Sequence, residues 1–517
     1  MNHSLPQPLF TAEQVRKLDH AAITGQGIAG FELMMRAGKA AYRAMIAHWH
    51  LRSQQQRLIS QQPACKIQVF CGGGNNGGDG YIVAGLAAQA GFTAEVVMVA
   101  PKASLKGDAL LAYEWCQQFD VILTPYEVET KVDGDILVDA LLGTGLSGVV
   151  RDPYLAIIEH INAVNRPVLA IDIPSGLCAD TGSVLGAAIK ASLTVSFIGM
   201  KRGLLTGVAP DYCGELIYAS LNVPDPVFDC VPTKVWQLSD QTIGPVLLPR
   251  SRCAHKGLFG HLLIIGGGAG MAGAVTMAAE AALSMGVGLV TVATLAHHAA
   301  AIQARTPEVM VHAIDDPLHL EALLVDKTAI VIGPGLGKDE WGMAVLKTAL
   351  QVKEPLLVDA DGLNLMAQQR DTLCCNSKQL LLTPHPGEAS RLLGESTQSV
   401  QQDRFAAIER LCKTFHASVV LKGAGSLVSD GEQVWVCPEG NPGMASGGMG
   451  DVLSGMLGAF LAMGLPPCEA AKLGVWLHAT AADVIAAEFG EWGLRATELI
   501  PEARHLLNQL VTGSEEQ

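Results

Sequence analysis

The strongest constraint on this chain is a rhythm: short apolar runs, each closed by a glycine-rich or polar loop and followed by a helical pattern, recur along most of its 517 residues. Strands buried on both faces read as unbroken hydrophobic runs, and parallel neighbours need a crossover between them, so the rhythm predicts parallel sheets covered on both sides. A single core stops growing near roughly 250–300 residues, so two large domains are expected. After Thr11 and Gln14, which fit a capping box, two helical patterns run to about His50, and a Gln-rich polar interval spans Arg52 to Gln62. KIQVF, AEVVMVA, ILVDALL and PVLAIDI then alternate with helices. Between Asn222 and Arg252 the rhythm stops in VPDPVFDCVP and LLPRSRCAHKG. It restarts with HLLIIGG, GLVTVAT, AIVIGPG, PLLVDAD, QLLLTPH and SVVLKGAGSLV, and closes with helices near Leu453 to Met463 and Leu473 to Phe489. The expected organisation is therefore a domain over 1–222, a linker over 223–252 and a second domain over 253–512. Both domains are α/β, of the three-layer α/β/α type, with no repeat relating them.

Composition narrows the function. Hydrophobic residues make up 49% and charged residues 16%, which suits compact globular units. A net charge of -15 argues against wrapping nucleic acid, which needs a basic face. No polybasic membrane patch occurs, and the opening MNHSLPQPLF has no basic flank before an apolar run, so no secretory signal is expected. The uncharged stretch from His261 to Ala279 approaches the length of a bilayer span, but its glycines divide it into strand, turn and helix. The twelve cysteines lack C-x-x-C spacing, which fits reduced thiols in a cytoplasmic protein.

In the front half, KIQVF runs into CGGGNNGGDGY, where six glycines surround Asn75, Asn76 and Asp79 in a turn ahead of a helix. Glycines there let backbone amides approach a phosphate at the helix N-terminus. A glycine-rich strand-to-helix turn is alone a weak signal. Two further strand ends strengthen it: Asp139 precedes the loop Gly143 to Val149, and Asp172 precedes Ser175. The carboxyl ends of parallel strands line one crevice, so the three loops converge on a common mouth. An aspartate at a strand end also serves as a helix cap or loop anchor, a reading that stays open for each residue alone.

The back half holds NPGMASGGMGDVLSG, whose glycines precede an apolar helical pattern. Amides around Gly447 to Gly450 would form an anion hole at a helix N-terminus, with Asp451 in the first turn, where an acid also merely complements the dipole. His385 in LLTPHPGE, Gly333 to Gly337 in VIGPGLG, and Lys422 and Ser426 in VVLKGAGSLV are further parts of a nucleotide site, although His385 alone reads equally as a loop histidine. No Walker A sequence occurs.

Taken together, GGGNNGGDG, DALLGTGLSG and DIPSGL resemble the NAD(P)HX epimerase domain of bifunctional NAD(P)H-hydrate repair enzymes. HKGLFGHLLIIGG, GAVTMAAEAALSMGVGLVTVAT, VDADGLN and the back-half motifs resemble the ADP/ATP-dependent NAD(P)HX dehydratases. The resemblance implies a Rossmann-like front domain and a ribokinase-like back domain. It implies hydrate binding by Asn75, Asn76, Gly77, Gly78 and Asp79, by Gly143, Thr144, Gly145, Leu146, Ser147, Gly148 and Val149, and by Asp172. Asn76, Asp139 and Ser175 would hold potassium. In the back domain Lys422, Gly423, Ala424, Gly425, Ser426 and Gly450 would contact the nucleotide, and Ala274, Gly337, His385 and Asp451 the hydrate. GGGAGMAGA departs from the pattern where a serine is expected among the early glycines.

The implied chemistry is epimerisation at C6 of the nicotinamide ring with Asp172 as acid–base group, and dehydration driven by ADP, with Mg²⁺ on the nucleotide and Asp451 as base. The implied partners are hydrated NADH or NADPH and ADP, without nucleic acid or membrane, in a homo-oligomer. Two rivals stand beside this reading: a ribokinase-like kinase of a small alcohol, which would accumulate a phosphorylated product, and a non-catalytic nucleotide sensor.

Overall fold

The computed structural model describes residues 7–51, 65–243, 249–369 and 374–513. The Gln-rich interval and residues 244–248 of the expected linker fall outside them. The chain divides into two compact units, Met1–Val235 and Trp236–Gln517. Within the segment 223–252, Val223, Val227 and Val231 belong to the apolar core of the first unit. Leu238 and Ile243 belong to that of the second.

In the first unit the helices α1 (Ala12–His20) and α2 (Gly30–His48) lead in, and Thr11 makes the expected reciprocal capping box with Gln14. Seven strands follow: β1 (Lys66–Cys71), β2 (Thr93–Met98), β3 (Val121–Pro125), β4 (Ile136–Ala140), β5 (Val168–Ile171), β6 (Leu193–Phe197) and β7 (Glu215–Ala219). They form one sheet in the order β3-β2-β1-β4-β5-β6-β7, every neighbouring pair parallel. The runs KIQVF and ILVDA are almost wholly buried because helices cover both faces. The chain leaves β1 toward one edge and returns to β4 on the other side, so the order reverses between these two strands. A crevice opens at their carboxyl ends for that reason. One part of the expected turn is helical: α3 spans Asn75–Gln89 with Gly74 as N-cap, so Asn75 to Asp79 lie in its opening turns. Helix onset is this early because Gly72 and Gly77 allow close packing; a Cβ on Gly72 would lie 1.9 Å from the Leu141 carbonyl oxygen, and one on Gly77 2.1 Å from that of Gly72.

The second unit repeats the principle with different connections. Its strands are β8 (His261–Ile265), β9 (Leu289–Thr294), β10 (Met310–Ala313), β11 (Ala329–Ile332), β12 (Leu356–Val358), β13 (Leu380–Leu382), β14 (Ser418–Leu421), β15 (Ser426–Ser429) and β16 (Val434–Cys437). The order is β10-β9-β8-β11-β12-β13-β14-β15-β16, parallel up to β14 and antiparallel beyond it. Here the reversal lies between β8 and β11. The stretch after His261 is strand, turn and the helix α4 (Ala272–Ser284), as its glycines require. No helix among the described residues is long and apolar enough to cross a membrane. Two expected helices appear as α5 (Met449–Ala462) and α6 (Pro467–Phe489), and a third, α7 (Leu499–Gly513), was not anticipated.

The helix that carries Asp451 lies directly against α4. A Cβ on Gly455 would approach the Ala278 carbonyl oxygen to 2.0 Å. Alanine gains about 1 kcal/mol of helix propensity over glycine, but backbone cannot rotate aside as a side chain can. Overpacking typically costs about 1–3 kcal/mol, so Gly455→Ala is expected to destabilise the second unit by a net ~1 kcal/mol, read as a lower urea midpoint at unchanged slope.

Candidate functional site

The crevice of the first unit has a volume of about 650 Å³, within the range of small-molecule sites. Its wall holds Asn75, Asn76 and Asp79 from α3, Gly143 to Ser147, and Asp172. Gly77 and Gly78 are buried, the first against Gly72 and the second against Met34. Val149 is exposed, and Asp139 and Ser175 are buried.

Those two buried residues form a tight polar knot. The Ser175 hydroxyl donates to Asp139 Oδ1 at 2.6 Å, and the Ser175 amide to Oδ2 at 2.7 Å. The Asn76 Nδ2 donates to the Leu142 carbonyl at 3.1 Å, while its Oδ1 is buried with no hydrogen-bond partner. Among the described residues no cation pairs with Asp139. Asn76 and Ser175 share the Leu142 carbonyl, so an unpartnered amide oxygen and a buried carboxyl belong to one polar cluster, which suits a small oxygen-seeking cation.

Asp172 follows β5 with φ at 68°, a left-handed conformation that an aspartate adopts at some cost. Its Oδ1 accepts from the Phe197 amide at 3.3 Å and from the ammonium of Lys201. Lys201 is fully buried and also donates to Ser196 Oγ at 3.0 Å and the Phe197 carbonyl at 3.2 Å, so its three protons are used. Two more carboxyls share this neighbourhood. Burial, then the charge of Asp172, pushes Asp19 of α1 up to about 6. Burial, then Asp172 and Asp19, drives Asp79 well above the usual carboxylate range. One lysine thus faces three carboxyls, and the surplus negative charge keeps protons on some of them near neutral pH. Neither Lys201 nor Asp19 was singled out in the sequence. Lys201 lies in GMKRGLL and Asp19 in the last turn of a charged amphipathic helix, where neither stands out.

In the second unit the N-terminus of α5 is capped by Gly448 at φ 92°, a left-handed turn that glycine adopts without strain. Gly450 lies beside a buried pair: a Cβ there would be 3.4 Å from Lys422 Nζ and 3.7 Å from Asp359 Oδ2. Lys422 Nζ bonds Asp359 Oδ1 at 2.7 Å, Ser454 Oγ donates to Oδ2 at 2.6 Å, and Glu388 stands 4.0 Å from the ammonium. Burial would raise the Asp359 carboxyl, but the Lys422 charge and hydrogen bonds outweigh it and hold it low. Burial likewise opposes the Lys422 charge, yet Asp359 and Glu388 raise its pKa. Asp451, in the first turn of α5, is pushed up to about 6 by burial and then by Asp359.

The backbone of the KGAGS loop is held from below. Arg404 is fully buried and donates to the carbonyls of Leu421 at 3.0 Å, Lys422 at 3.3 Å and Gly425 at 3.5 Å. Ser426 Oγ closes on the Gly423 carbonyl at 2.9 Å. Gly337 donates its amide to Asp361 Oδ2 at 3.0 Å, and a Cβ on Gly335 would lie 3.0 Å from that of Ala274, so this loop packs against the first turn of α4. His385 is exposed and caps the helix Pro386–Leu393, its Nδ1 accepting from the Gly387 amide at 3.0 Å. Asp359, Glu388, Ser454 and Arg404 were missed as site residues. VDADGLN and LLTPHPGE contained the first two, while Arg404 has no local signal.

Carboxyl groups over one crevice, and an ammonium beside a helix N-terminus in the other unit, are the equipment of a two-domain α/β enzyme that handles nucleotides. The comparisons specify it further. A family model described as YjeF-related protein N-terminus matches residues 30–203, and one described as NAD(P)H-hydrate dehydratase matches residues 262–504. The bifunctional NAD(P)H-hydrate repair enzyme Nnr of Coxiella burnetii is 46% identical over 501 residues, covering 97% of this chain and 99% of that protein. The Nnr proteins of Vibrio cholerae and Escherichia coli are each 40% identical over 98% of this chain. A ribokinase-like superfamily protein from Enterococcus faecalis V583 covers 54% of this chain at 28% identity, with a TM-score of 0.51. The chain belongs to the family of bifunctional NAD(P)H-hydrate repair enzymes. It is an enzyme of metabolite repair, with an epimerase and a dehydratase domain on Rossmann-like and ribokinase-like folds.

Proposed function

We propose that the first unit interconverts the R and S hydrates of NADH and NADPH, and that the second dehydrates the S form while ADP becomes AMP and phosphate. The carrying observation is that each unit gathers titratable groups where its strand order reverses or a helix begins. In the first, Asp172 is the acid–base group, set by Lys201, with Asn75 to Asp79 and Gly143 to Val149 holding the dinucleotide. Asn76, Asp139 and Ser175 would hold K⁺, which the unpartnered Asn76 oxygen and the buried Asp139, met by no cation among the described residues, favour. That ion would supply fixed positive charge near the bound phosphates.

In the second unit Gly450 and the loop from Lys422 to Ser426 would bind the nucleotide, and Ala274, Gly337, His385 and Asp451 the hydrate. Asp451 takes the proton of the C6 hydroxyl as that oxygen attacks the terminal phosphorus of ADP, and AMP leaves. The ring nitrogen then expels phosphate from C6, and loss of a C5 proton restores the dihydropyridine. Lys422 and the amides at the head of α5 stabilise the phosphoryl oxygens. Mg²⁺ would neutralise the phosphates when bound. Among the described residues no group of three His, Cys, Asp or Glu could hold an ion, so the nucleotide would supply many of its ligands.

All twelve cysteines are free thiols, which favours a reducing, cytoplasmic setting. We include homo-oligomerisation in the reading; sedimentation of the full chain tests it. The decisive assay supplies mixed R and S hydrate with ADP or ATP and follows the near-ultraviolet absorbance of reduced nicotinamide and free phosphate. Full recovery of cofactor with one phosphate per turnover is expected. Accumulation of a phosphorylated alcohol instead would identify a kinase, and binding without turnover a sensor.

A further inference from the structure

We propose that Asp19 is a second acid–base group of the front crevice, acting across the nicotinamide ring from Asp172. The proposal rests on the first unit being the epimerase. Its basis is the stereochemistry of the reaction. To invert C6, one oxygen must depart from one face of the ring and another must arrive at the opposite face. A carboxyl fixed on one side reaches only one of these oxygens unless the ring turns over. Asp172 projects from the sheet at the end of β5, whereas Asp19 enters the same cavity from α1, a separate element.

The carboxyl of Asp19 is half-buried, and among the described residues it has no hydrogen-bond or salt-bridge partner that would give it a structural task. The charged and titratable groups around it are Arg16 on its own helix, Asp79 on α3, Asp108, Asp172 and Lys201. Lys201 is committed to Asp172, Ser196 and Phe197, so it anchors one carboxylate and leaves Asp19 able to hold a proton.

The step balances. A protonated carboxyl gives its proton to the C6 oxygen, the C6–O bond breaks as the ring nitrogen lone pair forms C6=N, and water leaves. Water then adds to C6 from the other face, the nitrogen regains its pair, and the proton of the incoming water passes to the second carboxylate. The proton has moved from one aspartate to the other, which readies the pair for the reverse direction.

The test uses the full chain without nucleotide, so that dehydration is idle, and follows R to S conversion by chromatography in heavy-oxygen water. Wild type is expected to epimerise with incorporation of the label. Asp19→Asn is expected to lower kcat about 10²-fold or more with little change in KM. Its melting temperature should be unchanged or higher, since the amide relieves crowding of like charges. Asp19→Glu, which keeps the acid, should recover a substantial part of the rate with a displaced pH profile. Asp19→Asn within about threefold of wild type would overturn the proposal, as would Asp19→Glu and Asp19→Asn being equally slow. A wild type that epimerises neither hydrate would instead overturn the reading of the first unit.

Discussion

Asp451→Asn is expected to lower nucleotide-driven dehydration of the S hydrate by about 10³-fold, within the span usual for loss of a positioned base, while R and S continue to interconvert. The amide keeps the shape of the carboxyl but cannot take the hydroxyl proton as phosphorus is attacked. Burial and the nearby Asp359 push the wild-type carboxyl up to about 6, so the base form prevails above that pH. The dehydration rate should therefore fall as pH drops through about 6, and the residual rate of the variant should not follow that limb. The stability sign is opposite to the activity sign. A carboxyl whose pKa rises on folding binds a proton more readily when folded, so at neutral pH its charge works against the fold. Asn mimics the protonated form, and Asp451→Asn should melt no lower than wild type at pH 7. A large loss of rate with a large loss of stability would point to a structural residue instead.

Asp172→Asn should arrest repair at a different place. With mixed hydrate and nucleotide, the S fraction should clear at the wild-type rate while the R fraction persists, epimerisation being slowed by about 10²–10⁴-fold. This variant is also expected to be less stable. Lys201 is fully buried, and removing its carboxylate leaves an ammonium to be met by Ser196 and Phe197 alone. Stripping one partner from a buried pair costs about 3–5 kcal/mol, lessened here by Asp19 and Asp79 nearby. The combination Asp172→Asn with Lys201→Met should regain stability without regaining epimerisation. If the double variant recovered both, Asp172 would be an anchor for Lys201 rather than the group that moves protons. Thermal melts and chromatography of the hydrates on the same samples separate the cases.

The two effects differ because the pairs are built differently. Asp451 is half-buried and, among the described residues, takes part in no ion pair, so its loss is chiefly chemical. Asp172 is tied to a fully buried cation, so its loss is chemical and structural together.

Much of this protein was legible in its amino-acid order, because backbone requirements are local. Parallel strands buried on both faces leave runs such as KIQVF and HLLII, and sharp turns ahead of helices leave glycines such as Gly72 and Gly448, so both sheets and the glycine turns at their edges were legible in the sequence. Asp172, Asp451, Lys422 and Asn76 stood out because they adjoin those turns. What only the tertiary structure decided is which charges meet. Asp359 reaches Lys422 across 63 positions, Lys201 reaches Asp172 across 29, and Arg404 grips a loop 18 to 21 residues ahead. Such pairings depend on strand order and on the lowered dielectric of a packed interior, neither of which leaves a mark on neighbouring residues. Asp19 is the clearest case: on its own helix it is one acid among ordinary charged residues, and it gains its significance only where α1 brings it against the carboxyls at the end of another unit of secondary structure.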